Sequence, residues 1–136
     1  LARARQDLSD VVADPETASS AIVGSDRDPG AIEAADQMPP PDWPATVVVP
    51  CGMGDARNLL MALSGDACIV IGGRAGTISE VCLAWLHKRP LLPLTGCGGW
   101  SDQLEQNPPD ERKNSPILPW GSVAELEARL KALGLA

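Results

Sequence analysis

Apolar residues fall along this chain in short blocks, and the clearest blocks lie in its second half. Thr46-Val47-Val48-Val49 and Ala67-Cys68-Ile69-Val70-Ile71 are continuous runs rich in β-branched residues, the pattern of strands buried on both faces. Leu91 to Leu94 is a third such run, cut short by Pro90 and Pro93, because proline is tolerated mainly at strand ends and edges. Between these runs, Ala56 to Leu63 and Thr77 to His87 have helical composition. At the end of the chain Val123, Leu126, Leu130 and Leu133 form one apolar stripe. Ser122 and Glu125 supply a capping box before it and Gly134 a stop after it. Strands and helices in short alternation predict an α/β fold with a Rossmann-like parallel sheet flanked by helices.

The first 45 residues have a different texture. Leu1, Leu8 and Val11 recur at helical spacing, and Ala21-Ile22-Val23 ends at Gly24 as a short strand would. Asp28-Pro29 offers an N-cap with proline at the first helical position, predicting a short helix through Ala35. Met38 to Pro44 holds four prolines and reads as an extended connector. At 136 residues the chain is expected to be one domain, with residues 1–45 as a divergent or truncated portion ahead of a core spanning 46–136.

Charge and composition remove whole classes of function. A net charge of −7 argues against a broad face for polyanions, and with no Tyr or Phe there is no stacking platform for single strands. A nucleic-acid polymer is therefore not an expected partner. No apolar run approaches the roughly 20 residues of a membrane-spanning helix, and no secretory leader is visible, so a soluble cytoplasmic protein is expected. Cys51, Cys68, Cys82 and Cys97 contain no close-spaced pair and His87 is the only histidine, so no metal is expected. Cys68 and Cys82 read as small core residues, and the thiols as reduced. Trp43, Trp100 and Trp120, each beside Pro or Gly, read as pocket-lining residues or, preferably, as covers over the core.

The informative stretch is the strand, glycine-rich loop and helix from Ile69 to Leu86. Gly72, Gly73 and Gly76 let backbone approach a ligand closely. The helix start behind them directs free N–H groups and a partial positive charge at the same place. In open α/β sheets such a loop at the carboxyl end of a parallel strand is where phosphates bind, although tight turning alone also uses glycines. Glu80 has two readings. Thr77-x-x-Glu80 fits a capping box, and a carboxylate one turn into that helix also fits catalysis. Arg57 likewise reads as a solvated first-turn arginine or as a ligand contact.

Taken together, Gly52 to Asn58, Ser64 to Ala67 and Gly72 to Glu80 resemble the LOG proteins, cytokinin riboside monophosphate phosphoribohydrolases long mislabelled lysine decarboxylases. The resemblance is closest to the DprA-related branch that includes molybdenum-cofactor carrier proteins. Arg57, Asp66, Gly73, Gly76, Thr77 and Glu80 fall at the spacings of an arginine on a helix, a strand, then P-G-G-x-G-T-x-x-E. Gly72 replaces the family's proline and Arg74 its second glycine, while the first βαβ unit is lacking or diverged. The resemblance implies cleavage of the N-glycosidic bond of a nucleoside 5′-monophosphate. Glu80 would stabilise the sugar cation and Arg57 orient the nucleotide or favour the departing base. Gly72, Gly73, Gly76 and Thr77 would hold the phosphate, with Arg74 either adding a charge-assisted contact to it or filling the site and ending activity. The alternative is a carrier that binds a nucleotide or another phosphate-bearing cofactor, such as the molybdenum cofactor, without turnover. The enzyme reading needs no metal or organic cofactor, and Lys88, Lys113 and Lys131 all stand in charged contexts unsuited to a pyridoxal site. The resemblance also implies a homodimer, and the helix from Thr77 to His87, apolar around most of its circumference, reads either as central to the core or as buried in such an interface.

Overall fold

A computed structural model describes residues 21–23, 31–33, 48–50 and 53–135. Within it the apolar run Ala67–Val70 (β4) is the central strand of a three-stranded sheet. Leu91–Pro93 (β5) lies parallel on one side, with Cys68 opposite Leu91 and Val70 opposite Pro93. Ala21–Val23 (β1) lies on the other side and runs antiparallel, Val23 opposite Ala67. The alternation of elements implied parallel strands, and β1 departs from that as an antiparallel edge on an otherwise parallel sheet, a common arrangement. Parallel bridges from Leu91 to Ile117 and from Leu94 to Trp120 extend the sheet beyond β5. Proline is accommodated as expected. Pro93 closes β5, and Leu94 donates the next ladder bond, to the Val70 carbonyl at 2.8 Å.

Ala31–Glu33 (β2) and Val48–Pro50 (β3) form a second, parallel two-stranded sheet. This corrects the expected helix through Ala35. Asp28-Pro29 is a start signal only, whereas Ile32 is β-branched and pairs with Val49, so strand pairing overrides the local cue. The helix expected from Leu1 to Val12 and the connector from Met38 to Pro44 lie outside the described residues.

Among the described residues three α-helices flank the sheet: Arg57–Ser64 (α1), entered through a 3-10 turn at Gly54–Ala56, Ala75–Leu86 (α2) and Val123–Ala132 (α3). The strict alternation of a strand sends β4 side chains to both faces. Cys68 and Val70 pack with Ala62, Val81, Ala84, Trp85, Leu91 and Leu104 beneath α1 and α2. Ala67, Ile69 and Ile71 pack with Leu92, Leu94, Trp120, Leu126 and Leu130 beneath α3. Helices on both faces explain why these strands read as unbroken apolar runs. Each fully buried Leu or Ile here contributes about 1.5–3 kcal/mol of transfer free energy. Trp120 covers the core as expected, fully buried with its indole N–H donated to the Leu92 carbonyl at 2.8 Å.

The ends of α3 follow from its sequence. Ser122 Oγ accepts from the Glu125 N–H at 3.3 Å, while the Glu125 carboxylate reaches back past Ser122 to the Gly121 N–H at 2.7 Å. At the other end Gly134 takes φ +74°, and Gly134 and Leu135 donate to Lys131 and Leu130, which is the Schellman closure. None of the described helices is long and apolar enough to cross a membrane.

Candidate functional site

The loop after β4 depends on two consecutive left-handed glycines, Gly72 at φ +59° and Gly73 at φ +106°. A Cβ on Gly73 would meet the Thr77 side chain at 2.6 Å, so tight turning and contact with the following helix both require glycine there. Gly76 is different. It is exposed, nothing lies within 4 Å of where its Cβ would be, and its φ is not left-handed. A glycine in the first turn of a helix costs about 0.5–1 kcal/mol relative to alanine, and no neighbour in the described structure demands it.

Helix α2 begins at Ala75, two residues before the expected Thr77, with Arg74 as N-cap and no side-chain cap bond. Ile78 makes the first intrahelical bond, to the Arg74 carbonyl at 3.0 Å. By helix geometry the N–H groups of Ala75, Gly76 and Thr77 therefore point out of the helix end. Arg74 is exposed beside them and makes no ion pair among the described residues. The earlier start also overturns the capping-box reading. Thr77 is buried at the third helical position and Glu80 lies well inside the helix, too far along to cap it.

Helix α1 packs along α2, and a part-buried polar contact ties the two together. Asn58 donates to Ser79 Oγ at 2.5 Å, and Ser79 in turn donates to the Gly76 carbonyl at 2.7 Å. Arg57 precedes Asn58 and Glu80 follows Ser79, and the charge of Arg57 reaches the Glu80 carboxyl. Burial pushes the Glu80 carboxyl above its ordinary value, and the positive charge of Arg57 pulls it back down. On the strand below, the buried Cys68 thiol is pushed up to about 12, first by burial and then by the negative charge of Glu80. Asp66, the other matching position, pairs instead with Arg89 at 3.8 Å at the start of β4.

A second glycine-rich loop follows β5, and sequence reading gave it no role. Gly72 donates its N–H to Ser101 Oγ at 3.0 Å and lies 3.2 Å from the Cys97 sulfur, and Ser101 returns its own N–H to the Gly72 carbonyl at 2.9 Å. Trp100 N–H reaches the Gly73 carbonyl at 3.4 Å. Gly99 lies so close that a Cβ on it would stand 2.6 Å from the Gly72 carbonyl carbon. The Asp102 carboxylate holds this loop shut, accepting from Gly96 and Gly98 at 2.6 and 2.7 Å. No local pattern could have disclosed a contact between segments about 25 residues apart, although Gly-Cys-Gly-Gly after a strand was a visible cue. A groove lined by Trp85, Asp110, Arg112 and Ile117 lies at the opposite end of α2.

The sequence profile of the SLOG cluster4 family matches residues 18–124. The chain belongs to the SLOG cluster4 family. This places it in the LOG- and DprA-related superfamily that the motif resembled. No curated protein sequence matches this SLOG chain. Among solved structures it is similar to TM1055, a structural-genomics target, with 23% identity, a TM-score of 0.66 and coverage of 76% of this chain and 65% of that one. It is also similar to the molybdenum cofactor binding protein of the phototrophic bacterium Rippkaea orientalis, with 24% identity, a TM-score of 0.61 and coverage of 76% and 61%. The SLOG chain thus spans less than two thirds of either neighbour, and these likenesses establish its Rossmann-like α/β fold.

Proposed function

We propose that this SLOG protein binds a nucleoside 5′-monophosphate at the N-terminus of α2 and hydrolyses its N-glycosidic bond. The observation that carries the reading is the uncapped end of α2, with an exposed glycine at position 76 and the half-buried Glu80, within reach of the charge of Arg57, one turn further on. The N–H groups of Ala75, Gly76 and Thr77, with the Arg74 guanidinium beside them, suit a dianionic phosphate. Gly72 and Gly73 shape the turn that presents them, and the Gly76 position leaves room for close approach. Glu80, partly withdrawn from water, supplies negative charge where positive charge develops on the sugar as the C1′–N bond breaks. The bonding pair leaves with the base. Water bonds to C1′, its proton goes to the base, and Arg57 orients the nucleotide or stabilises the departing ring.

The test is incubation with purine and cytokinin nucleoside monophosphates and chromatography for free base, with Glu80→Gln in parallel. Release of base and ribose 5-phosphate is expected from the wild type, with a loss on the order of 100-fold in the variant. No release from any substrate would overturn hydrolysis. The exposed Arg74 favours a second reading, a binding protein for a phosphate-bearing cofactor. The molybdenum cofactor binding named for the Rippkaea orientalis protein makes that cofactor a candidate. Retained nucleotide or cofactor binding without turnover is its signature. We also propose a homodimer, in which the exposed Leu59 and Leu63 of α1 and Leu86 of α2 are covered.

A further inference from the structure

We infer that Ser101 is a positioning residue for the ligand loop, and that the second glycine-rich loop, not the first, fixes the geometry of the phosphate site. The inference rests on the reading of α2's N-terminus as that site. Two consecutive left-handed glycines have many conformations open to them, so Gly72 and Gly73 cannot hold their own shape. What holds them is external. Ser101 is buried at 2% exposure and closes a reciprocal pair with Gly72, N–H to Oγ at 3.0 Å and N–H to carbonyl at 2.9 Å.

The direction of the hydroxyl proton follows from the neighbours. Ser101 Oγ accepts from Gly72, so its own proton is free for the Gly98 carbonyl at 3.1 Å or for the Cys97 sulfur at 3.0 Å. The close approach of Gly99 to the Gly72 carbonyl carbon lets the two backbones lie in direct contact. Asp102, accepting from Gly96 and Gly98, keeps the second loop rigid enough to serve as a template. The Gly72 N–H is therefore spent inside the protein. The phosphate is left to Ala75, Gly76 and Thr77, whose direction is set by the turn that Ser101 locks. With the template in place the loop is ordered before ligand arrives, so binding does not have to order it.

The test combines amide hydrogen exchange by NMR with AMP titration of the full chain, comparing wild type, Ser101→Ala and Ser101→Thr. Loss of a buried acceptor leaves the Gly72 N–H with only the weak sulfur partner. Exchange at Gly72 should then quicken about tenfold or more while Ile69 and Val70 in β4 stay protected, and the Kd for AMP should rise about tenfold. The threonine variant, which keeps the hydroxyl, should restore both. Should the alanine variant lose β4 protection as well, Cys97→Ala tests the same N–H through its other acceptor and should quicken Gly72 exchange with β4 unchanged. Unaltered Gly72 exchange and unaltered Kd in the folded alanine variant would overturn the inference. Failure of wild type to bind AMP would instead sink the nucleotide reading. In that event Gly72 exchange still decides whether Ser101 locks the loop.

Discussion

Asp110 shows how one surface carboxylate can carry a measurable part of the pH dependence. It accepts from the Arg112 side chain, from the Arg112 backbone N–H at 2.9 Å and from the Trp85 indole at 3.0 Å. Together these pull it down to about 2 from 3.8, with the Arg112 side chain as the largest cause. A carboxyl depressed in the folded state contributes stability that is fully present above its unfolded value and is lost as pH falls through the folded value. The denaturation midpoint should therefore drop between about pH 4 and about pH 2, and Asp110→Asn should flatten that limb. An equal drop in wild type and variant would refute the assignment. Glu80 works in the opposite sense. Its folded value is raised, so the native state binds the extra proton and its contribution declines as pH rises above about 4.5. The two groups thus act in separate windows.

At the scale of elements, the contrast between two helix starts is instructive. Helix α3 opens with a serine that caps it, whereas α2 opens with Arg74, whose extended backbone suits a cap while its side chain provides none. Leaving that cap unmade keeps donors available for an anion. Arg74→Asp should make the point directly. A carboxylate at the N-cap should stabilise the fold by about 1 kcal/mol in chemical denaturation while weakening AMP binding by charge repulsion. A variant that gained stability and bound AMP unchanged would show that α2's N-terminus is not the phosphate site. The same contrast shows what the sequence could disclose. β4 and β5 were legible as unbroken apolar runs because both their faces are buried, α3 by the apolar stripe that burial of one face writes into a helix, and α1 by its helical composition. The β2 strand was not, since its pairing with β3 outweighs the Asp28-Pro29 cue and is non-local. Arg57 and Glu80 could be named as candidates, but the Asn58–Ser79 bond that ties their helices together could not, because a hydrogen bond between helices leaves no spacing to read.

For the whole molecule, the distribution of apolar surface bears on the proposed dimer. The sequence of α2 is apolar almost all round, yet Val81, Ala84 and Trp85 are buried and Ile78 and Leu83 pack against the same core, so most of its surface is used within one chain. The remainder lies elsewhere. Leu59 and Leu63 stand one turn apart on α1 at 40% and 42% exposure, and Leu86 ends α2 at 50%. Leaving a leucine pair on one helix face in water forfeits burial free energy that a second copy can recover. A net charge of −7 on each chain opposes association, so the dimer should tighten as salt screens the repulsion. Light scattering after size exclusion should therefore give twice the 14.2 kDa chain mass at micromolar concentration, more completely at high salt. Leu59→Glu with Leu63→Glu should yield the single-chain mass with the far-ultraviolet spectrum unchanged. A wild type that elutes at the single-chain mass at every salt concentration would leave those leucines as scattered surface residues and the site as the work of one chain.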